Sequence, residues 1–347
     1  SSAASDVYKR QGPYLDQSEG SLRFLKKRNI NHSEVLIMSK NSNKISYQGV
    51  FPIAPTPFQE DGSLDLDSQK RVLDCMIDQG VDGICILANY SEQFLLSDEE
   101  RDILLELCLN HVAGRVPVIV TCSHFSSRIA CERAKKSEAA GAKMLMLMPP
   151  YHGAALKADE KGIYEHFQQI SEAVSIPIMI QDAPLSGVSL SVDLLVKMAR
   201  ELDGVSCFKI EMPGTADKLR KLIESGGSTI EGPFDGEESI TLMADLDAGA
   251  TGTMPSAMIP DLIKPVVEHH LAGRRDLAAE QYGKILPLIN YENRQCGLRA
   301  TKALMLEGRV ITSDRVRHPM PALPPESRKG LLELAKFQDP VVLRWGK

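Results

Sequence analysis

From Gly49 onward the chain repeats one unit eight times: a short run of consecutive apolar residues, then an amphipathic stretch of helical period. The runs cover residues 49–54, 83–88, 116–121, 143–148, 176–181, 205–210, 228–232 and 250–254, with helical stretches at 68–78, 98–111, 126–140, 163–173, 191–201, 215–224 and 237–247. Runs that are continuous rather than alternating indicate strands covered on both faces, as in a parallel sheet. Asp98-Glu99-Glu100 opens one helix with acids where the macrodipole favours them. Gly80, Gly141, Gly204 and Gly249 stand where helices end before the next strand. Eight such units specify an α/β fold, a (β/α)8 barrel over residues 47–258. An open doubly wound sheet is the other arrangement of these elements, but no GxGxxG follows the first strand. Beyond Pro255 the strand pattern stops. Helical stretches at 261–271, 275–288, 298–307 and 326–336 make residues 259–347 a C-terminal helical extension, expected to complete the fold or an oligomer interface without chemistry of its own.

Residues 1–46 differ from the rest. They hold eight Lys and Arg against four Asp and Glu, are rich in Ser and Asn, and lack a sustained apolar period, which predicts a disordered tail. The first Met is Met38, and we expect the natural product to start there, with the preceding residues a remnant of upstream sequence. A targeting peptide is the rival reading, disfavoured by the four acids and the missing apolar segment. A net charge of −6 over 347 residues offers no broad basic surface, so neither nucleic acid nor an anionic membrane is expected as a partner. No apolar run reaches the roughly 18 residues that span a bilayer. Seven cysteines without a CxxC pair suit buried thiols in a reducing compartment, and a cytoplasmic location is expected.

Active sites of such barrels lie at the C-terminal ends of the strands. There, in Val205-Ser-Cys-Phe-Lys209-Ile-Glu211, a lysine sits near the end of an apolar strand. Burial lowers a lysine pKa, and a neutral amine attacks a ketone to give a Schiff base. The alternative is a structural ion pair with Glu211, which shares a strand face with Lys209 because side chains two residues apart point the same way. Lys143 opens its strand and belongs at the opposite, stability face.

Several motifs occur in a familiar order: Thr56-Pro57-Phe58 with Asp61-Gly62-Ser63-Leu64-Asp65, Ser91-Glu92, Leu96-Ser97-Asp98-Glu99-Glu100-Arg101, Pro149-Pro150-Tyr151, Lys209, and Gly249-Ala250-Thr251-Gly252. From about Tyr47 to the C-terminus the chain resembles the dihydrodipicolinate synthase and N-acetylneuraminate lyase family of Schiff-base barrels. The resemblance implies that Lys209 forms an imine with a 2-keto acid. It also implies that Thr56, Asn89, Tyr90, Ser91 and Ser186 bind the substrate, the Asn89–Ser91 segment at its carboxylate, and that Tyr151 lines the site from or toward a neighbouring subunit in a dimer of dimers.

Departures from the family pattern narrow the reaction. Ala88-Asn89-Tyr90-Ser91-Glu92 replaces the usual Gly-Thr-Thr-Gly-Glu, keeping side-chain hydrogen bonding in an altered pocket. Gln181-Asp182-Ala183-Pro184 replaces Tyr-Asn-x-Pro and removes a phenol that relays protons; Ser186 stands where the synthases place an Arg that binds a second carboxylate. With Glu211 two residues past the lysine, the expected reaction is dehydration of a 2-keto-3-deoxy sugar acid. Glu211 takes the C3 proton and returns it to the leaving C4 hydroxyl, and Gln181 orients that hydroxyl or a water. The resemblance supplies the substrate, L-2-keto-3-deoxyarabonate of L-arabinose degradation, and the product, 2-oxoglutarate semialdehyde. Retro-aldol release of pyruvate and an inactive keto-acid-binding barrel are the alternatives.

Other features carry plainer readings. Glu92 reads as a buried, paired carboxylate, and His124 and His152 as packing or solvated imidazoles. No HxH, HExxH or acidic cluster points to a metal, the adjacent His269 and His270 splay apart on a helix, and no cofactor is implied. Asn89-Tyr90-Ser91 matches a glycosylation sequon by chance, Met144, Met146 and Met148 fill core, and Gly226-Gly227 is a turn.

Overall fold

The computed structural model describes residues 47–153 and 156–347, so the tail expected over 1–46 lies outside the described residues. In chain order the eight barrel strands are β1 (Gly49–Val50), β2 (Ile84–Ile86), β3 (Val118–Thr121), β4 (Met144–Leu147), β7 (Ile178–Asp182), β8 (Val205–Ile210), β9 (Pro233–Asp235) and β10 (Gly252–Thr253); β5 (Tyr151–His152) and β6 (Leu156–Lys157) form a separate antiparallel hairpin. All eight pair in parallel in the order β1-β10-β9-β8-β7-β4-β3-β2. The sheet closes on itself where Ile53, just past β1, bridges Cys85 of β2, with Cys85 N–H donating to the Pro52 carbonyl at 2.9 Å and Ala54 N–H to the Cys85 carbonyl at 2.9 Å. The expected (β/α)8 barrel is therefore what the chain builds.

The connecting helices are α1 (Leu66–Asp78), α2 (Asp98–Val112), α3 (Ser127–Ala139), α4 (Glu160–Ser171), α5 (Val192–Glu201), α6 (Thr215–Gly226) and α7 (Leu242–Asp247). Their starts follow from local chemistry. Ser97 caps α2 in a reciprocal box with Glu100, at 3.2 and 3.0 Å, and three acids occupy its first turn. Asp65, Asp159 and Ser191 each accept a backbone N–H of the first turn of α1, α4 and α5. Gly80 and Gly204 follow the helix ends at φ 77° and 76°, where a β-carbon is strained.

Alternate strand residues divide between two cores. Phe51, Ile53, Ile119, Met144, Met146, Met179, Cys207, Phe234 and Met254 fill the barrel interior, whereas Ile84, Val118, Leu145, Ile178, Phe208 and Ile210 face the helices. Full burial of each such side chain is worth about 1.5–3 kcal/mol, which fixes the register of every strand.

Two expectations need correction. The seventh strand lies at Pro233–Asp235, not 228–232, where Gly227–Thr229 is a 3-10 turn. Pro233 reads as a strand breaker, yet as the first residue of a strand it gives up no ladder bond, and Phe234 is the residue that enters the barrel. The helix expected from residue 237 begins only at Leu242, because Glu238 and Ser239 adopt left-handed conformations at φ 46° and 67°. The apolar pattern also gives no sign of the hairpin β5–β6, whose strands are two residues each.

The extension comprises α8 (Pro260–Leu271), α9 (Arg275–Tyr291), a π-helical turn at Glu292–Cys296, α10 (Arg299–Glu307) and α11 (Pro325–Gln338). Ile263, Val266, Leu288, Leu304 and Leu331 belong to the same apolar core as the outward strand residues. Polar stitches join the extension to the barrel: Thr312 Oγ1 donates to Asp65 at 2.8 Å and Arg71 Nε to the Val310 carbonyl at 3.0 Å.

Candidate active site

Lys209 is the penultimate residue of β8, with 1% of its side chain exposed, at the strand ends where barrel chemistry is built. A bulge aims its neighbours. Ile178 pairs with Val205 but Met179 with Cys207, so Ser206 is skipped and Gln181 of β7 comes directly opposite Lys209. Glu211, one strand period further on, forms an ion pair with the Lys209 ammonium and accepts a 2.8 Å hydrogen bond from Gln181 Nε2. Gly236 permits this packing, since a β-carbon there would stand 2.8 Å from the Ile210 carbonyl oxygen and 2.9 Å from Lys209 Cγ.

A cavity of about 470 Å³ opens over the lysine, lined by Asn89, Tyr90, Leu185, Lys209, Glu211, Glu238, Leu298 and Met320 among others. Burial alone works to lower the Lys209 pKa, but Glu211, and Glu238 behind it, more than offset that, and the net direction is upward. Against the expectation that burial leaves the amine partly neutral, the neighbouring carboxylates shift the balance toward the ammonium, with Glu211 in contact with it.

Sequence reasoning misses Glu238. The pattern reads as the start of an acidic helix, whereas this residue sits on the strained turn after β9. Asp235 holds the turn by accepting Ser239 N–H at 3.1 Å and Thr253 Oγ1 at 2.5 Å, and Tyr282 donates to the Ser239 and Ile240 carbonyls at 3.0 and 2.6 Å. Two non-glycine left-handed residues cost of order 1–3 kcal/mol each and persist only where the surroundings impose them. Burial and the neighbouring Glu211 charge push the Glu238 pKa well up, against a smaller downward pull from Lys209. Two carboxyls therefore lie by the lysine, one ion-paired with it and one whose pKa is pushed up. Glu292, on the π-helical turn, is a buried carboxyl nearby, raised by burial to about 8. Leu298 and Met320 bring the extension to the wall of the cavity, and the Glu292 charge acts on Glu238 and Tyr90.

The remaining expected residues fall into two groups. Asn89 and Tyr90 line the cavity; Asn89 Oδ1 also accepts from Gln93 at 2.7 Å, and burial raises the Tyr90 phenol well above its ordinary value. Thr56, Ser91 and Ser186 are buried, with their hydroxyl protons committed to main-chain carbonyls. Thr56 donates to Ser91 at 2.8 Å, Ser91 to Ala54 at 2.6 Å and Ser186 to Ala183 at 2.8 Å, so these three shape turns rather than face the cavity. Tyr151 is not brought to Lys209 within the chain; with His124 and His152 it lines an adjacent cavity of about 680 Å³. His124 Nδ1 accepts the Ser126 N–H at 2.9 Å, and burial, with Arg133 beside it, lowers its pKa. Glu92 is buried and paired with Lys302, as expected for a structural carboxylate.

Residues 46–338 match the dihydrodipicolinate synthetase family. The chain belongs to that family. Over 305 residues, 88% of this chain and 99% of the relative, it is 55% identical to an L-2-keto-3-deoxyarabonate dehydratase from Azospirillum brasilense. To a 4-hydroxy-tetrahydrodipicolinate synthase from Halalkalibacterium halodurans it is 30% identical over 283 residues, 81% of this chain and 93% of the other. Among solved structures, a dihydrodipicolinate synthase from Acinetobacter baumannii in complex with pyruvate superimposes with a TM-score of 0.78 at 25% identity, covering 84% of this chain and 98% of that one.

Proposed function

We propose that the chain is a Schiff-base hydro-lyase that converts L-2-keto-3-deoxyarabonate to 2-oxoglutarate semialdehyde and water. The observation that carries this reading is the Gln181–Glu211–Lys209 arrangement, in which the family's titrating phenol is absent and a carboxylate touches the amine. Identity of 55% to a relative of that activity supports the substrate.

In this mechanism Glu211 accepts the ammonium proton, Lys209 Nζ attacks C2 of the keto acid, and the carbinolamine loses water to give the iminium. Glu211 then takes a C3 proton, forming the enamine. Glu238, held as an acid, protonates the C4 hydroxyl, which leaves as water while the enamine electrons form the C3–C4 double bond. Loss of a C5 proton and protonation at C3 give the enol of the semialdehyde, and hydrolysis frees Lys209. Gln181 holds Glu211 in place, and the Ala88–Ser91 turn with Asn89 and Tyr90 receives the substrate carboxylate. Two carboxyls divide the work that the sequence pattern assigns to Glu211 alone.

Phe94, Phe125, Leu156 and Leu185, in the connections that follow β2, β3, β4 and β7, are exposed. We take this apolar rim as the contact of a homo-oligomer, a dimer of dimers, in which Tyr151 sits beside a neighbouring subunit. Among the described residues no helix is long and apolar enough to cross a membrane, and six of the seven cysteine thiols are buried, which suits a reducing cytoplasm.

The decisive experiment is turnover of L-2-keto-3-deoxyarabonate with the semialdehyde followed through a coupled dehydrogenase. Semialdehyde formation supports the dehydratase; pyruvate plus glycolaldehyde marks a retro-aldol lyase instead. Absence of a borohydride-trapped pyruvate adduct at Lys209 removes both enzymatic readings.

A further inference from the structure

Glu92 and Lys302 lie 210 residues apart in sequence and form an ion pair with both side chains 0% exposed. Lys302 Nζ also donates to the Arg315 carbonyl at 2.8 Å, and the second Glu92 oxygen accepts the Arg317 N–H at 2.9 Å. Lys302 Nζ and the Arg317 guanidinium each stand 4.4 Å from the centroid of the buried Phe58 ring, and Arg317 further binds the Gly62 and Leu95 carbonyls at 2.9 and 2.7 Å. Replacing such a pair with well-packed neutral side chains is often neutral for stability, so stability does not account for its presence. Its position does. Glu92 holds a left-handed φ of 58° directly after the Asn89–Ser91 turn, whose Asn89 and Tyr90 line the Lys209 cavity. Thr56 and Ser91 pin the inner side of the turn, and Lys302 with the Arg317 segment pins its outer end.

We propose that Lys302 and Glu92 are positioning residues through which the C-terminal extension shapes the Ala88–Ser91 turn and thereby sets the affinity of the cavity for the carboxylate of a 2-keto acid. The inference rests on the keto-acid reading of the Lys209 cavity. Glu92 borders the cavity, but both its carboxyl oxygens are committed to Lys302 and the Arg317 N–H, so the effect falls on binding rather than on proton transfer.

The test is the double variant Glu92→Gln/Lys302→Met, which avoids a lone buried charge, with the single variant Glu92→Gln as a milder companion. Pyruvate affinity is read from the concentration dependence of borohydride trapping at Lys209, and KM and kcat from turnover. A weakening of pyruvate affinity and a rise in KM of about tenfold, equivalent to about 1.4 kcal/mol, is expected in the double variant, with kcat within about twofold and native circular dichroism. A smaller change in the same direction is expected for Glu92→Gln. Unchanged pyruvate affinity in the folded variants overturns the proposal, as does failure of both to fold, which makes the pair a determinant of the whole fold rather than of the turn. Absence of an imine in the unaltered protein removes the keto-acid reading and the inference with it, an outcome distinct from an imine whose affinity ignores the pair.

Discussion

Replacing Glu211 by glutamine separates the two tasks assigned to that carboxylate. Lys209 is fully buried, and its upward pKa direction comes from Glu211 first and Glu238 second, working against desolvation. Unit charges about 4 Å apart at an effective dielectric near 20 interact by about 4 kcal/mol, so Glu211 is the largest single support of the ammonium. In Glu211→Gln the new amide oxygen can still accept from Gln181 Nε2, which stands 2.8 Å from the carboxylate, so the geometry survives while the charge is lost. Imine formation needs the free amine and rises as pH climbs through the lysine's pKa. With Glu211 gone, burial pulls unopposed by its strongest partner, and the pH profile of pyruvate trapping moves to lower pH. Turnover behaves oppositely: loss of the base for the C3 proton lowers kcat by about 10²- to 10⁴-fold, or about 2.7–5.5 kcal/mol of barrier. Borohydride trapping across a pH series, with mass mapping of the Lys209 peptide, and parallel turnover assays read both effects. A trapping profile that stays in place or moves to higher pH, or a kcat near that of the unaltered enzyme, would refute this assignment.

Further expectations follow from the neighbours of Glu211. Glu238→Gln should lower kcat by about 10²- to 10⁴-fold while the pyruvate adduct still forms; because Glu238 acts as an acid with a raised pKa, activity of the unaltered enzyme should decline as pH rises through that value, and the variant's residual activity should lack this decline. An unaffected kcat would transfer the acid role elsewhere. Gln181→Met removes a hydrogen bond to a charged group, worth about 1.5–3 kcal/mol, and a kcat loss of roughly 10- to 150-fold measured in the same assay is the expected result. Glu292, raised to about 8, keeps a proton in the folded chain that the unfolded chain releases near its ordinary value of 4.5. Between those values the folded state binds more protons, so stability falls with rising pH, by up to about 1.4 kcal/mol per pH unit from this group. Thermal melts of Glu292→Gln between about pH 5 and pH 8 should therefore show a shallower decline in Tm than the unaltered protein; equal slopes would show that Glu292 does not titrate there.

What the sequence discloses follows the range over which each signal acts. Continuous apolar runs and capping residues are local, and they place seven of the eight strands and nearly every helix. Lys209 is legible because a charge in an apolar strand is costly without a partner, and Glu211 because strand side chains alternate. The level pairing of Gln181 with Lys209 is not derivable, since it depends on a bulge at Ser206 that no residue type announces. Glu238 is hidden for a different reason: Glu237-Glu238 mimics the acidic first turn of a helix, and only the hydrogen bonds of Asp235 convert it into a left-handed turn. Gly236 is the available clue, a glycine at the end of a strand where another backbone approaches closely. Lys302 cannot be joined to Glu92 by any spacing rule, because the contact exists only once the extension has folded back over the barrel.

Dehydration and aldol cleavage part at the iminium: cleavage breaks C3–C4 there and leaves the enamine, whereas dehydration first loses a C3 proton and then expels the C4 hydroxyl from the enamine. Cleavage of C3–C4 requires a base that removes the proton of the C4 hydroxyl. Gln181, level with Lys209 on β7, is an amide that binds Glu211 and neither gives nor takes a proton. In the proposed mechanism Glu238, on the turn after β9 with its pKa pushed up by burial and Glu211, delivers a proton to the C4 hydroxyl, which leaves as water. On that reading the turn at Glu238 and Ser239, with the buried Asp235 beneath it, holds the carboxyl where its pKa stays raised. A single substitution of Gln181 by Tyr therefore does not suffice to recover a lyase. Only when Glu238→Gln accompanies it does the site lose its acid as it regains its phenol, and pyruvate release from the double variant alone, with neither single variant showing it, is the result that ties bond choice to this pair.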